Sequence, residues 1–297
     1  MTIATTVRVA AGRTLTPELQ QALSGVAEVS SLPEVTTKIM QIVEDPKATA
    51  HNMHEIIRTD PALAAKILRV VNSAFYGLPS RIASLERAIL LLGLSAVKNI
   101  ALAASLARLF NVEALSEQPT ARDLWRHSIA VGSCARLLAD SGKCWSADEA
   151  FVAGLVHDLG LIALQQLYPV KLHEIIARGP DEGQTFCALE ESVLGADHQL
   201  FGGALAVRWR FPPVLRYAIG CHHEPHVLED EQRKIVTLVY VADTLCCRGQ
   251  FGLCRTGCGQ EIPDWMLALT GWTSADLDRV LDELPPRVEE AEQLFMA

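Results

Sequence analysis

Nitrogen and oxygen donors of the metal-ligand type are gathered in one stretch of this 297-residue chain. They are His127, the adjacent pair His157–Asp158, His198, the adjacent pair His222–His223, and Asp243; among the histidines only His51 and His54 precede them. Imidazole nitrogen and carboxylate oxygen suit divalent iron, manganese, zinc and nickel, and one or two such ions are expected. Neighbouring side chains on a helix point about 100° apart. His157 and Asp158 can therefore serve one ion from two sides, or the carboxylate can bridge two ions, and His222–His223 can feed a second ion in the same way. Asp243 lies in Ile235–Leu245, whose other residues are almost all apolar. A carboxylate on a buried face needs a partner, because an unpaired buried charge is very costly. Ordinary roles stay open at this level: Asp158 reads equally as an N-cap or a salt-bridge partner, and His222-His223-Glu224-Pro225 as a solvated helix end. His51, His54, His173 and His226 are read as surface or hydrogen-bonded core histidines. The donors are scattered from residue 127 to residue 243 without a compact ligand motif, so only the fold can bring them together.

The elements that would do so are helices. Thr16-Pro17-Glu18 reads as N-cap, N1 proline and acidic first turn, opening a helix through Leu23. Leu32, Val35, Ile39, Ile42 and Val43 keep a 3.6-residue period that Glu44-Asp45-Pro46 stops. Asp60-Pro61 caps a helix with Leu63, Ile67, Leu68 and Val71 on its apolar face, ended by Gly77. Ser84 opens Leu85–Leu92, Gly93 breaks it, and Leu94–Phe110 is apolar nearly all round, the mark of a buried central helix. Ser146 and Glu149 form a capping box for a helix that carries Val156-His157-Asp158, with Gly160 allowing a kink or close approach after it. Thr273 and Asp276 form a second box for a C-terminal helix. No sustained two-residue alternation occurs. The expected fold is all-α and two-lobed.

Composition agrees with that class. Hydrophobic residues make up 49% and charged residues 21%, which excludes global disorder. Aromatics are 6% while Ala and Leu abound, a mix better suited to packed helices than to a β-sandwich. A net charge of −9 repels phosphate backbones, so nucleic acid is not an expected partner. The longest uncharged apolar stretches, Ala88–Val97, Asn99–Ala107 and Leu159–Val170, fall short of the roughly 18–20 residues of a membrane span. No secretory signal is visible, and a cytoplasmic location without a membrane partner is expected. The eight cysteines are too sparse for a disulfide scaffold. Cys246, Cys247, Cys254 and Cys258 cluster without paired C-x-x-C knuckles, and read as small core residues and loop thiols.

Several segments together resemble the HDOD family, the HD-related output domains of bacterial signalling proteins. They are Leu32-Pro33-Glu34-Val35, Ile57-Arg58-Thr59-Asp60-Pro61-Ala62-Leu63, Asn72-Ser73-Ala74-Phe75-Tyr76-Gly77 and Ile82-Ala83-Ser84-Leu85-Glu86-Arg87-Ala88-Ile89 with Leu92-Gly93. Trp125-Arg126-His127-Ser128, Ala153-Gly154-Leu155-Val156-His157-Asp158-Leu159-Gly160 and Gly195-Ala196-Asp197-His198 extend the match. The resemblance implies an all-helical fold related to the HD phosphohydrolase superfamily, in proteins regarded as regulatory output or scaffold modules, many without metal ligands. It divides the chain into a variable segment (1–23), an N-terminal HDOD lobe (24–112), an HD-like lobe (113–250) and a C-terminal helical tail (251–297).

This chain keeps His127, His157, Asp158 and Asp243, the positions of an HD metal site. His198, His222 and His223 fall where the cyclic-di-GMP-hydrolysing HD-GYP relatives place second-metal ligands, and Asp123, one turn before His127, is a further candidate ligand. Two departures point away from those enzymes: Leu161 stands where they have a lysine, and Glu224-Pro225-His226 replaces their Gly-Tyr-Pro. Two readings follow. In the first, the chain is a non-catalytic signalling module acting through a signalling protein partner or a second copy of itself, with Asn72, Ser73, Tyr76 and Gly77 either fixing helix packing or meeting the partner. In the second, it is a metal-dependent phosphohydrolase or phosphodiesterase with His157 and Asp158 at its catalytic centre.

Overall fold

The computed structural model describes residues 15–296 except 30–31, 111–118, 143–144, 182 and 258, and the described residues form helices and connecting turns without a strand. After α1 (Pro17–Val29), which packs on two helices of the second lobe, the first lobe holds α2 (Glu34–Glu44), α3 (Ala50–Ile57), α4 (Pro61–Val71), α5 (Leu85–Leu92) and α6 (Leu94–Leu106). Helix α6 is its axis: every residue from Val97 to Leu106 is buried, and α2, α4 and α5 pack around it. The caps are side-chain hydrogen bonds, from Leu63 N–H to Asp60 Oδ1 (2.9 Å) and from Arg87 N–H to Ser84 Oγ (3.3 Å).

Helix α4 stops at Val71 rather than running to Gly77. Asn72 takes over there: its Nδ2 donates to Leu68 O (2.6 Å) and Ile82 O (2.8 Å), while its Oδ1 accepts from Ile82 N–H (2.6 Å). A side chain that binds the backbone of a neighbouring segment from both ends competes with helix continuation. Ser73 Oγ donates to Val70 O (2.7 Å), Tyr76 O–H donates to Asp148 Oδ1 (2.6 Å), and Gly77 takes φ +57°. The polar side chains of this motif are thus engaged within the chain.

The second lobe starts with the long α7 (Pro119–Gly142), followed by α8 (Ala147–Val156), α9 (Leu159–Leu167), α10 (Pro169–Arg178), α11 (Phe186–Leu194), α12 (His198–Arg208), α13 (Pro213–Cys221) and α14 (Asp230–Arg248). Short α15 (Asp264–Thr270) leads to α16 (Ser274–Met296), whose capping box is complete: Asp276 N–H donates to Thr273 Oγ1 (3.3 Å) and Thr273 N–H to Asp276 Oδ2 (2.9 Å). Helix α7 packs on α8, α14 and α16, α8 leans on α6 of the first lobe, and α16 reaches back to α4. The apolar run Ala147–Leu167 has the length and composition of a membrane span, yet 78% of its most apolar window is buried in this core.

Candidate metal centre

His157 and Asp158 are not inside a helix. Helix α8 ends at Val156, His157 is its C-cap, and Asp158 takes the N-cap position of α9 (φ −90°, ψ 22°) without accepting a capping bond. Both carboxylate oxygens are therefore left for something else. The turn is held against α12 by Gly160, where a Cβ would lie 1.8 Å from the carbonyl oxygen of His198 and 2.9 Å from Gly202 N. Only a glycine lets these two backbones approach so closely. The opposite wall is α14, which carries Asp243 in a fully buried turn. His127 comes from α7, His198 is the first residue of α12, capped by Asp197 Oδ1 accepting from Leu200 N–H (2.8 Å), and His222 is the C-cap of α13.

These elements bring the seven residues to one centre. His127, His157, Asp158, His198, His222 and Asp243 have no exposed surface, and the His223 side chain is 5% exposed. His127 Nε2 lies 3.0 Å from Asp243 Oδ1 and 3.9 Å from Asp158 Oδ2; His157 Nε2 lies 3.3 Å from Asp158 Oδ2. The other oxygen of Asp158 faces a second group, 3.4 Å from both His198 Nε2 and His222 Nε2. His198 Nε2 is in turn 3.2 Å from His222 Nε2 and 3.1 Å from His223 Nε2, and His223 Nδ1 is 3.9 Å from Asp243 Oδ2. Asp158 therefore stands between two triads of donor atoms, His127–His157–Asp158 and Asp158–His198–His222.

The rings are oriented from behind. His127 Nδ1 bonds Phe251 O (3.1 Å), His157 Nδ1 bonds Gly154 O (2.7 Å), and His222 Nδ1 bonds Ala218 O and Ile219 O (both 3.1 Å). His198 Nδ1 bonds Glu190 Oε2 (2.6 Å), which also accepts from His198 N–H (3.0 Å). An acceptor at Nδ1 fixes the proton there and turns the Nε2 lone pair inward, the outer-shell arrangement that prepares histidines to ligate. Phe251 can reach His127 because Gly252 (φ +73°) lays the loop on α7, where a Cβ would meet Asp123 O at 2.3 Å.

Electrostatics follow from this geometry. Burial opposes the charge on His127, but its bonds to Asp243 and Cys254 and the fields of Asp243 and Asp158 hold its pKa well above the usual histidine value. Burial likewise opposes charge on His198, yet the Glu190 carboxylate raises it to about 9. Desolvation and neighbouring imidazoles push His222 and His223 down, so both are neutral. Burial works to raise Asp158 and Asp243, but the surrounding histidines outweigh it and hold both below the usual carboxylate range.

His157 Nε2, both oxygens of Asp158 and Asp243 Oδ2 are nevertheless buried without a hydrogen-bond partner. Imidazoles stand near these oxygens but not in line with them. Buried polar atoms are almost always bonded, and orphans of this kind call for an ion or water. A donor set of imidazole nitrogens and carboxylate oxygens converging on one centre fits a divalent cation of the iron, manganese, zinc or nickel type, which would displace the protons held by His127 and His198.

Asp123 does not join the centre. It is exposed at the outer face of α7, and what it offers the loop is its backbone carbonyl, which accepts from Leu253 N–H (3.0 Å). One turn of separation puts it near His127 in sequence, but at that turn the Asp123 side chain is exposed while His127 is buried. His51, His173 and His226 are exposed, and His54 pairs with Glu86 (3.1 Å) on the surface. Cys246 and Cys247 are core residues on α14, with Cys247 Sγ donating to Asp243 Oδ1 (3.5 Å), and Cys254 is a partly exposed loop thiol. Cys247, Cys254 and His127 also bring ligand-type atoms within 4.8 Å of one another. Cys258 lies outside the described residues.

Sequence reasoning missed Glu190, the buried carboxylate behind His198. The signal was present: Glu190 lies on the apolar side of α11 with Phe186, Leu189 and Leu194, the same argument that singled out Asp243. Gln199 and Gln260, which bond His223 through its N–H and its ring, carried no such signal.

Comparison with known proteins places the chain among similar folds. The model of the HDOD domain family matches residues 29–225. An uncharacterized protein of Treponema pallidum (strain Nichols) is 25% identical over 222 residues, which cover 74% of this chain and 42% of that protein. The chain thus spans about two fifths of that relative's length. An HDOD domain protein of unknown function from Geobacter sulfurreducens superposes with a TM-score of 0.74 at 22% identity, over 94% of this chain and 99% of its own. A candidate signal transduction protein from Marinobacter aquaeolei VT8 gives 0.72 at 20% identity, over 94% and 64%. A candidate phosphohydrolase from Shewanella amazonensis SB2B gives 0.69 at 20% identity, over 97% and 98%. These structural likenesses establish the shared all-helical fold.

Proposed function

Starting from a chain that belongs to the HDOD family, we propose that it is a signal-transduction module whose second lobe is built around a buried divalent cation centre and which acts through a protein partner or a second copy of itself. One observation carries this reading: six of the seven candidate ligands are fully buried and the seventh, His223, is 5% exposed. A phosphate ester has to touch the ions that activate it, and side chains enclosed by helices and by the loop after α14 give it no contact. The position that carries a lysine in the hydrolytic relatives is Leu161, which is itself wholly buried and offers no cation for a substrate phosphate.

His127, His157, Asp158 and Asp243 would hold one ion, and Asp158, His198, His222 and His223 a second, with Asp158 shared. When bound, such an ion contributes charge that neutralises the acids and ties distant helices together, and in an open site it can also acidify a bound water. The chain's own part is to turn the ligand atoms inward. Phe251, Gly154, Ala218, Ile219 and Glu190 hold the Nδ1 protons outward, so that ion uptake displaces protons only from Nε2 atoms. Since the ligands come from α7, the α8–α9 turn, α12, α13 and α14, binding free energy becomes folding free energy of the whole lobe.

The second reading, a metal-dependent phosphohydrolase, draws on the two oxygens of Asp158 facing separate imidazole groups, the layout of a bridging carboxylate in a two-ion hydrolytic centre. One set of measurements separates the two. Protein purified without chelator is analysed for Fe, Mn, Zn and Ni, melted with and without chelator, and assayed on cyclic dinucleotides and simple phosphate diesters. The signalling reading expects stoichiometric metal, a lower Tm after chelation and no turnover. Turnover that Asp158→Asn abolishes would replace it with the hydrolytic reading, and metal-free protein with an unchanged Tm would remove both.

A further inference from the structure

His223 differs from the other four imidazoles of the centre in what stands behind it. Their Nδ1 atoms face backbone carbonyls or a carboxylate, which can only accept. The Nδ1 of His223 faces the side-chain amide of Gln260, which can either donate or accept depending on which way it is turned. If the amide presented N–H, His223 would carry its proton on Nε2 and turn a donor toward the centre. If it presents oxygen, the proton sits on Nδ1 and the Nε2 lone pair faces inward like the rest.

Thr244 decides between these. Its Oγ1 is 2.8 Å from Tyr240 O, one turn back on α14, and 3.1 Å from Gln260 Oε1, with Gln260 Nε2 toward His223 Nδ1; a half-turn of the amide exchanges these two ends. A carbonyl can only accept, so the single hydroxyl hydrogen of Thr244 goes to Tyr240. Nothing is left to donate to Gln260, and two oxygens 3.1 Å apart without a hydrogen between them repel. The amide is therefore satisfied only with its NH2 toward Thr244 and its oxygen toward His223. The loop is held in register for this by Tyr240 O–H donating to Glu261 O (2.8 Å) and Gln260 N–H donating to Gly257 O (3.2 Å). On the other side, His223 N–H donates to Gln199 Oε1 (2.9 Å), so the residue is fixed at both backbone and ring.

We infer that Gln260 is a positioning residue that accepts the Nδ1 proton of His223 and so turns His223 Nε2 into the group formed by His198 Nε2, His222 Nε2 and Asp158 Oδ1. This half of the centre then offers three imidazole nitrogens and a shared carboxylate to one cation. The inference deepens the metal reading above and rests on it for its consequence, but the tautomer of His223 is a property of the metal-free chain.

Long-range 1H–15N correlation spectra of histidine-labelled, chelator-treated full-length protein read that tautomer directly. His223 is expected to carry its proton on Nδ1 in the wild type and in Gln260→Glu, whose carboxylate can also accept. Gln260→Leu is expected to move the proton to Nε2 and to weaken binding of the second equivalent of Co2+, followed by its visible absorption, by about 10–100-fold, while Gln260→Glu retains it. An Nε2–H tautomer in the wild type overturns the inference, as does a Gln260→Leu protein whose tautomer and Co2+ affinity are both unchanged. Should Gln260→Leu fail to fold, the wild-type and Gln260→Glu spectra decide alone. An Nδ1–H wild type that binds no Co2+ upholds the Gln260 contact and removes the metal reading.

Discussion

Replacing Gly160 by alanine tests whether the centre depends on the close crossing of α9 and α12. A Cβ at residue 160 would lie 1.8 Å from His198 O and 2.7 Å from His198 C, all backbone atoms that cannot rotate away. Ordinary contact begins at 3.4 Å, so the helices must part by about 1.6 Å. Overpacking of this kind costs about 1–3 kcal/mol, more where backbone must move, and the gain in helix propensity from Gly to Ala returns only about 0.5–1 kcal/mol. We expect a net loss of up to about 2.5 kcal/mol and a Tm lower by up to roughly 8 °C. The displaced atom belongs to His198, so the second triad suffers more than the first. Metal–ligand distances tolerate about 0.2 Å, and a shift several times larger should cost the ion held by His198, His222 and His223 while sparing that held by His127 and His157. Thermal denaturation with metal analysis on the same preparation measures both. Gly25→Ala is the matched control, because a Cβ there meets nothing within 4 Å in an exposed part of α1; it should be neutral or slightly stabilising. A Gly160→Ala protein with wild-type Tm and full metal content would refute the role assigned to this crossing.

Three further outcomes are expected. His157→Ala and Asp158→Ala should lose metal together, since both serve the first triad, and elemental analysis showing independent losses would count against a shared centre. For pH, His127 and His198 have folded-state pKa values above their unfolded ones, so their contribution to the metal-free chain is complete below about pH 6.5. It is lost as pH rises, for His198 through about 9; chelated protein should therefore lose Tm between pH 7 and 9.5, whereas metal-loaded protein, whose ligands are already deprotonated, should not. The same protons should appear on metal uptake at pH 7, about two per centre, as a buffer-dependent heat in calorimetry. Tyr76→Phe removes the 2.6 Å bond to Asp148 from a mostly buried contact and should cost about 1–2 kcal/mol without altering metal content; an unchanged denaturation midpoint would show the hydroxyl to be dispensable.

Much of the fold was legible because its signals are local. Asp60-Pro61, Ser84 and the Thr273–Asp276 box each announce a helix start through a side-chain hydrogen bond spanning three residues, and Gly93 breaks a helix with φ +87°; each forms. The α8–α9 break was not legible: Val156-His157-Asp158-Leu159 has no proline, and its glycines at 154 and 160 fit a continuous helix. What separates the helices is tertiary, the wedge of α12 against Gly160. The candidate ligands were readable by residue type, because buried polar groups are rare and their chemistry is restrictive. Their convergence was not, since the contacts join residues as far apart as His127 and Asp243. Gln260 lay beyond reach altogether: nothing marks a loop glutamine until the ring it faces is placed 37 positions away.

The two helices that frame the centre also frame the join between lobes. Helix α7 carries His127 on its inner face and, further along, Arg136; α8 begins near Asp148 and ends at the His157–Asp158 turn. Arg136 donates to Asp148 Oδ1, which also accepts from Tyr76, and its guanidinium lies over the rings of Phe75 (4.2 Å) and Tyr76 (4.8 Å). The segment Asn72–Gly77 is thereby locked to both helices, while Phe75 N–H donates to Glu290 Oε1 on α16 (2.8 Å). A packed helix transmits a displacement of one end to the other because its interior cannot compress. The spacing of α7 and α8 is therefore a physical route between the centre and the Arg136–Asp148–Tyr76 contact at the first lobe. A buried cation centre of the kind proposed and a first lobe clamped to the same two helices would be the parts a relay requires, so that under the signalling reading the burial of the centre is not an obstacle.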